Sequence, residues 1–375
     1  MNYEPLNIER IRIPRGYNKD TLRLDMAERG SFFDDGLWTN FKDNHLKQLD
    51  ILAYPDYGVV SAFEDRVKQH FAIYDFPVIV DCGSDALIKL AIEALSVDGD
   101  TIAAITPSFP MYGVYSKLQR RNFREFGGDA NYTLSHGYLT LNIEYLLDSI
   151  DATAPKILFL SNPSSPFGAY YTSTQITMIA EQLNKYSGVL VLDEAYIEFC
   201  TACNQPQFNL SKYEGNNVII LRTMSKAIGV AGLRVGYAFG PQKLIDTLRM
   251  HQLTFPISGP AISFTQFLFE NYSEVTSYIH STIESREYIL QTFEKNGLGY
   301  INSHTNSIHF SISPEKRAIF DEQNRKYDVL IKGANAATPI QIPNSENQSW
   351  IRMSLFAGMQ QTNWFKSVFE EIGGK

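Results

Sequence analysis

Four short apolar runs, TIAAITP, KILFLSNP, VLVLDEAY and NVIILRT, punctuate the middle of the chain, each hydrophobic on both faces and each ending in a polar residue. Runs of this length without alternation predict strands buried on both sides, as in a parallel sheet. Between them lie longer segments of helical period. In DALIKLAIEAL, Leu87, Ala91, Ala94 and Leu95 share one face and predict a helix packed on that sheet. From about residue 50 the alternation of strand and helix predicts a doubly wound α/β fold. After HQLTFPISGPAI the texture changes to a long polar helix through IESREYILQTF, then strand candidates NSIHFSI and WIRMSLF and a closing helix. A second, smaller lobe is expected there. Residues 1 to about 30 are polar, carry Arg10, Arg12, Arg15, Arg23 and Arg29, and show no amphipathic period, so they read as an arm. NSENQS, at 344–349, reads as a surface turn.

Composition narrows the function classes. The chain has 375 residues, enough for one large and one small lobe. A formal net charge of −8 supplies no basic field for nucleic acid, so any anion must be held locally. The polar opening and the lack of a long apolar run predict no membrane span, and three cysteines cannot form a disulfide framework. The cytoplasm is the expected compartment. Cys200 and Cys203 form a CxxC, but no second pair or spaced histidine completes a zinc site, so no metal is expected. No phosphate-loop lysine motif, GxGxxG or GxSxG is present.

The polar residues at the strand ends carry the chemistry. In open α/β sheets ligands bind beyond the carboxyl ends of the strands. Asn162 follows KILFLS, Asp193 ends VLVLD, and Lys226 follows NVIILRTMS. An amine that can form an imine and an acid that can keep a ring nitrogen protonated are what a pyridine aldehyde needs. On position alone Lys226 would be a solvated loop charge and Asp193 a helix cap. Thr223, Ser225 and Arg234 around Lys226, however, suit phosphate oxygens, and Gly229, Gly232 and Gly236 allow close backbone approach. Tyr196 and Asn162 could each reach a ring oxygen. Gly83-Ser84-Asp85 follows the strand candidate PVIVDC and opens a helix whose first amides could bind phosphate. Phe109, in TPSFPMYGVY, could lie flat on an aromatic ring or simply pack in the core.

Together Asn162-Pro163, Asp193-Glu194-Ala195-Tyr196, Ser225-Lys226 and Gly232-Leu233-Arg234-Val235-Gly236 resemble the class I/II, fold type I aminotransferases that use pyridoxal 5′-phosphate, in their histidinol-phosphate aminotransferase branch. The resemblance runs from about Tyr54 to the C-terminus. It implies a large domain, 36–255, built on a mostly parallel seven-stranded sheet between helices, and a smaller α/β domain, 256–375, to which the arm, 1–35, contributes. It makes Lys226 the Schiff-base lysine, Asp193 the partner of the ring nitrogen, and Asn162 and Tyr196 the partners of the ring oxygen. Ser84, Asp85, Thr223, Ser225 and Arg234 would hold the phosphate, and Phe109 would stack on the ring. Tyr54 matches a tyrosine that reaches the phosphate in a partner subunit, which implies a homodimer with shared active sites. Arg352, in WIRMSLF, matches the arginine that grips a substrate carboxylate or phosphate.

The implied activity is ping-pong transfer of an amino group from a small-molecule donor to a keto acceptor, with Lys226 moving the proton. The same cofactor site could instead serve an amino-acid or amino-acid-phosphate decarboxylase, or, more remotely, a ligand sensor without turnover. Where that branch usually has Asn-Glu-Asn-Pro in the arm, this chain has LDMAERGSFFD, 24–34. Glu28, Arg29 and Gly30 stand in its place and point away from histidine biosynthesis; Arg29, Arg23 and Arg15 are candidates for an extra anion contact, although as arm residues they read first as solvated charges.

Overall fold

A computed structural model describes residues 20–31, 33–49, 51–128, 131–201, 207–331 and 349–373. Most of the polar arm, Cys203 and all but Ser349 of the turn expected at 344–349 lie outside them; Ser349 opens a strand.

Fourteen strands are described: β1 Leu22–Leu24, β2 Val78–Asp81, β3 Thr101–Ile105, β4 Asn122–Phe126, β5 Tyr132–Ser135, β6 Tyr138–Leu141, β7 Ile157–Ser161, β8 Val189–Asp193, β9 Val218–Thr223, β10 Gly236–Phe239, β11 Gly299–Ile301, β12 Ser307–Ile312, β13 Val329–Ile331 and β14 Ser349–Ser354. Seven of them form one sheet in the order β2-β10-β9-β8-β7-β3-β4. All neighbours run parallel except β10, which is antiparallel to both β2 and β9. The apolar runs therefore become the middle of a mostly parallel sheet, as their two-faced hydrophobicity requires.

Side chains alternate between the faces. Leu158, Leu160, Leu190, Leu192, Val218 and Ile220 feed one core. Ile157, Phe159, Val189, Val191, Ile219 and Leu221 feed the core beneath the helix Gly83–Leu95. That helix buries Leu87, Ile88, Leu90, Ala91 and Ile92, with Ala94 and Leu95 only partly covered, so its buried stripe is wider than the sequence pattern suggests.

A further core surrounds the antiparallel sheet β11-β12-β14, with Phe293, Phe310, Phe320 and Trp364 among its largest members. Packing crosses the expected boundary at residue 255. Ile257, the helix Gly259–Glu270 and the first half of the helix Tyr272–Lys295 pack on the large sheet's core through Phe264, Phe267, Val275, Ile279 and Ile283. The same long helix gives Tyr278 and, farther along, Ile289 and Phe293 to the second core. Its hydrophobic stripe spans enough turns to serve two partners, which a reading of texture alone does not resolve. The arm joins this second lobe as β1, paired in parallel with β13.

The carboxyl ends of the sheet are cross-braced by a buried ion pair. Arg222 of β9 donates from Nε and Nη2 to Glu194 Oε2 at 2.8 and 2.7 Å, and from Nη2 to Gln207 Oε1 at 3.0 Å. Removing one partner of such a pair strands a buried charge at a cost of about 3–5 kcal/mol. Arg222→Met is expected to lose that much stability in urea denaturation, whereas Arg317→Met, which breaks the half-exposed Arg317–Asp321 pair, should lose no more than about 1 kcal/mol.

Candidate functional site

Strand register decides which side chains meet. Ser161 of β7 lies opposite Asp193 of β8, Asp193 opposite Leu221 of β9, and Thr223 of β9 opposite Gly236 of β10, which also faces Asp81 of β2. The residues that close these strands thus line one edge of the sheet.

Asp193 is 4% exposed. Its Oδ2 accepts from the Tyr112 hydroxyl at 2.6 Å and its Oδ1 from the Ala195 amide at 3.1 Å. The cap reading and the acid reading of this residue both have a place: one oxygen serves the backbone, the other a phenol. Burial pushes the carboxyl above its usual range, while the hydrogen bonds and the charge of Lys226 oppose that rise.

Lys226 donates to the Met26 carbonyl at 2.9 Å, and its Nζ lies 5.6 Å from the centre of the Tyr196 ring. Tyr196 is buried in the turn before the helix Ile197–Thr201. Burial raises its hydroxyl's pKa, but the charges of Lys226 and Arg352 and a hydrogen bond with Ser165 carry it below the ordinary tyrosine value. The phenol is therefore prepared to stabilise negative charge. Asn162, 1% exposed, exchanges two hydrogen bonds with the backbone of Tyr171, accepting at 2.7 Å and donating at 3.1 Å. The amide nitrogen carries two hydrogens, so the second remains for a ligand.

The helix Gly83–Leu95 begins without a side-chain cap, leaving its first amides to a ligand. Above it the fold is shaped by glycine. A Cβ on Gly83, whose φ is +81°, would meet Arg234 Nη2 at 2.6 Å, and one on Gly236 would strike the Ser84 amide nitrogen at 2.3 Å. Arg234 Nη1 donates to the Ser225 hydroxyl at 3.3 Å, and Thr223 Oγ1 lies 3.0 Å from the same hydroxyl. Ser84, Thr223, Ser225 and Arg234 form a donor-rich cup of the kind that fits a phosphate dianion. The Asp85 side chain does not share in this donation, since its Oδ2 accepts from the Tyr115 hydroxyl at 2.8 Å and Oδ1 is buried without a partner among the described residues. Only its amide could face an anion.

Phe109 is 38% exposed and meets the Tyr112 ring edge-on at 5.8 Å. Arg352 of β14 is half-buried, and its Nε has no hydrogen-bond partner among the described residues. Arg29 is not a solvated arm charge: its guanidinium lies between the rings of Phe33 and Tyr278, 4.2 and 3.9 Å from their centres, and its Cδ lies 2.6 Å from where a Cβ on Gly229 would sit. Tyr54 points into solvent, 77% exposed, and stacks on Phe255 at 4.3 Å. Sequence reasoning missed Tyr112, Ser165 and the Met26 carbonyl. In its helix the Tyr112 ring reads as one more apolar position, so no local signal marked it. Neither the carbonyl nor the hydroxyl left one in a pattern of residue types.

An amine, a buried acid, a depressed phenol and a phosphate cup along one sheet edge fit the pyridoxal 5′-phosphate that the sequence motifs imply. A family model described as aminotransferase class I and II matches residues 35–365. Over 266 residues the chain is 30% identical to a histidinol-phosphate aminotransferase of Caldanaerobacter subterraneus subsp. tengcongensis, covering 70% of this chain and 71% of that protein. In fold it resembles a histidinol-phosphate aminotransferase from Sinorhizobium meliloti in complex with pyridoxal 5′-phosphate, with a TM-score of 0.74, 17% identity and coverage of 95% and 90%. It also resembles the L-threonine-O-3-phosphate decarboxylase of Porphyromonas gingivalis, with a TM-score of 0.68, 17% identity and coverage of 94% and 100%. Likeness at that identity is likeness of fold, and the fold alone does not select which bond at the substrate carbon breaks.

Gly83→Ala is expected to strain the backbone by about 1–2 kcal/mol and to displace the Arg234 guanidinium. Calorimetric titration with a phosphate monoester should show affinity at least tenfold weaker than in the unsubstituted chain.

Proposed function

The chain belongs to the class I and II aminotransferases, and from that premise we propose which of its residues perform the transfer. The protein is a fold type I, pyridoxal-phosphate-dependent transaminase that moves an amino group between an amino donor and a keto acceptor. When bound, the cofactor supplies an electron sink conjugated to the reacting carbon. The residues do the remaining work.

We assign Lys226 Nζ as the amine that would hold the cofactor through its aldehyde carbon and, when freed by an incoming amine, as the base that would carry the substrate's α-proton from the substrate carbon to that former aldehyde carbon. Asp193 is the carboxylate for the ring nitrogen. Tyr196 and the spare Asn162 hydrogen serve the ring oxygen, and Phe109 covers the ring face. Ser84, Thr223, Ser225, Arg234 and the Asp85 amide receive the phosphate. The observation that carries this reading is geometric: Asp193 and Tyr196 are buried three residues apart at the end of one strand, and Lys226 Nζ lies 5.6 Å from the centre of the Tyr196 ring, so amine, acid and phenol share one small space.

Arg352, with its unpaired Nε beside Tyr196, is the proposed grip for a substrate carboxylate or phosphate. Arg29 is the proposed second anion contact, its two faces taken by rings and its Nη1 buried without a partner among the described residues. The substrate is accordingly a small anionic amine or keto compound. We further propose a homodimer in which Tyr54 reaches the partner's phosphate site. Its support is an apolar surface of Leu52, Tyr54, Tyr57, Met250 and Leu253, each at least 66% exposed, an unusual concentration for a surface that stays in water. A cytoplasmic setting accords with a composition that offers no disulfide framework.

Lys226→Ala is expected to abolish both the visible absorbance of the bound cofactor and turnover; unchanged turnover would overturn the assignment. Arg352→Ala should raise KM for an anionic donor about tenfold or more while leaving cofactor affinity unchanged. In sedimentation, Leu52→Asp with Leu253→Asp should convert a dimer to monomers, and a monomeric unsubstituted chain would refute the shared site.

A further inference from the structure

Asp193 carries its charge in an unusual setting. It is buried, and among the described residues no cation lies within ion-pairing distance of it; the nearest positive influence is Lys226, acting from farther off. A carboxylate so placed gains protons easily and can turn about its own bonds unless something holds it. The group that holds Oδ2 is Tyr112, at 2.6 Å.

Tyr112 is itself unable to move. It is the second residue of the helix Met111–Leu118, is 1% exposed, and lies flat on Phe159 of β7 at 4.6 Å with an interplanar angle of 7°. The Phe109 ring meets its edge at 5.8 Å and 83°. Burial, and secondarily the neighbouring Asp193, push its phenol well above the ordinary value, so the proton stays on the tyrosine oxygen at any working pH. The donor is permanent and its direction fixed. A charge-assisted O–H to carboxylate hydrogen bond is also among the stronger kinds.

Resting on the reading of Asp193 as the acid that faces the cofactor ring, we propose that Tyr112 is a positioning residue: its hydroxyl fixes the Asp193 carboxylate in orientation and keeps it ionised, so that the remaining lone pairs meet the ring nitrogen. With Oδ1 held by the Ala195 amide and Oδ2 by Tyr112, the carboxylate has one orientation and about two acceptor sites left for the cofactor. Without the phenol its proton affinity rises. The acid would then compete better for the proton it is proposed to share with the ring nitrogen, the ring would withdraw electrons less, and the imine formed with Lys226 would titrate at higher pH. No bond is made or broken by Tyr112 itself.

The test uses Tyr112→Phe, which keeps the stacked ring and removes only the hydroxyl. In the cofactor-free chain, carbon-13 NMR of labelled aspartate should show Asp193 titrating at higher pH in the variant. In the loaded protein, cofactor binding should weaken about tenfold and the midpoint of the visible-absorbance pH titration should rise by about one unit. In an Asp193→Asn background the same substitution should add less than a twofold change in cofactor affinity, because the residue acts through the acid. An unmoved Asp193 titration, or an equal loss of affinity in both backgrounds, would overturn the inference while leaving the transaminase intact. An unsubstituted chain that takes up no cofactor would instead defeat the underlying reading, and the inference with it.

Discussion

Parallel strands all finish on the same side, and that constraint governs the molecule. Once β7, β8 and β9 are buried on both faces, their side chains are committed to two cores, and polar residues are confined to the last positions of each strand and the turns just past them. Asn162, Asp193 and the Thr223-to-Lys226 segment occupy those positions. Strand β10 runs the other way, so its start, Gly236, comes back to the same edge and presses on the first turn of the helix Gly83–Leu95. Acid, amine and anion cup are neighbours because hydrogen-bond register makes them so, although they are scattered in sequence from Gly83 to Gly236.

The parts legible in the sequence were those written in local pattern. Two-faced apolar runs announced the central strands, and a polar residue after each announced the edge. The gathering of Thr223, Ser225 and Arg234 was legible because hydroxyls, arginine and glycine crowd into one stretch. What escaped is contact between distant segments or with backbone atoms. Tyr112 meets Asp193 across 81 positions of chain, and its ring reads as one more apolar residue in a helix. Met26 contributes a carbonyl, which every residue type has. Arg29 read as a solvated charge because nothing local says that Phe33 and Tyr278 enclose it. The texture break after residue 255 was real in composition but did not mark where packing divides.

The arm segment is fastened from several directions at once. Met26 accepts from Lys226, the Ala27 amide donates to the Ser354 hydroxyl at 2.8 Å, and the Ala27 carbonyl accepts from the Asn306 side chain at 3.2 Å. The sheet edge and the second core thus both hold the strap that replaces the branch's usual Asn-Glu-Asn-Pro segment. Since Arg29 belongs to that strap, whatever selectivity it confers depends on how the arm is laid down, and grafting the arginine alone into a relative would not transfer it.

The helix Tyr272–Lys295 has a consequence for how the molecule comes apart. Its buried residues divide in allegiance, Val275, Ile279 and Ile283 to one core and Tyr278, Ile289 and Phe293 to the other. Neither lobe can melt without stripping that rod of half its cover, and a half-stripped helix of this polarity has little reason to persist in water. The shared helix ties the two lobes together, so denaturation is expected to proceed in one step where two separately folded bodies would give two.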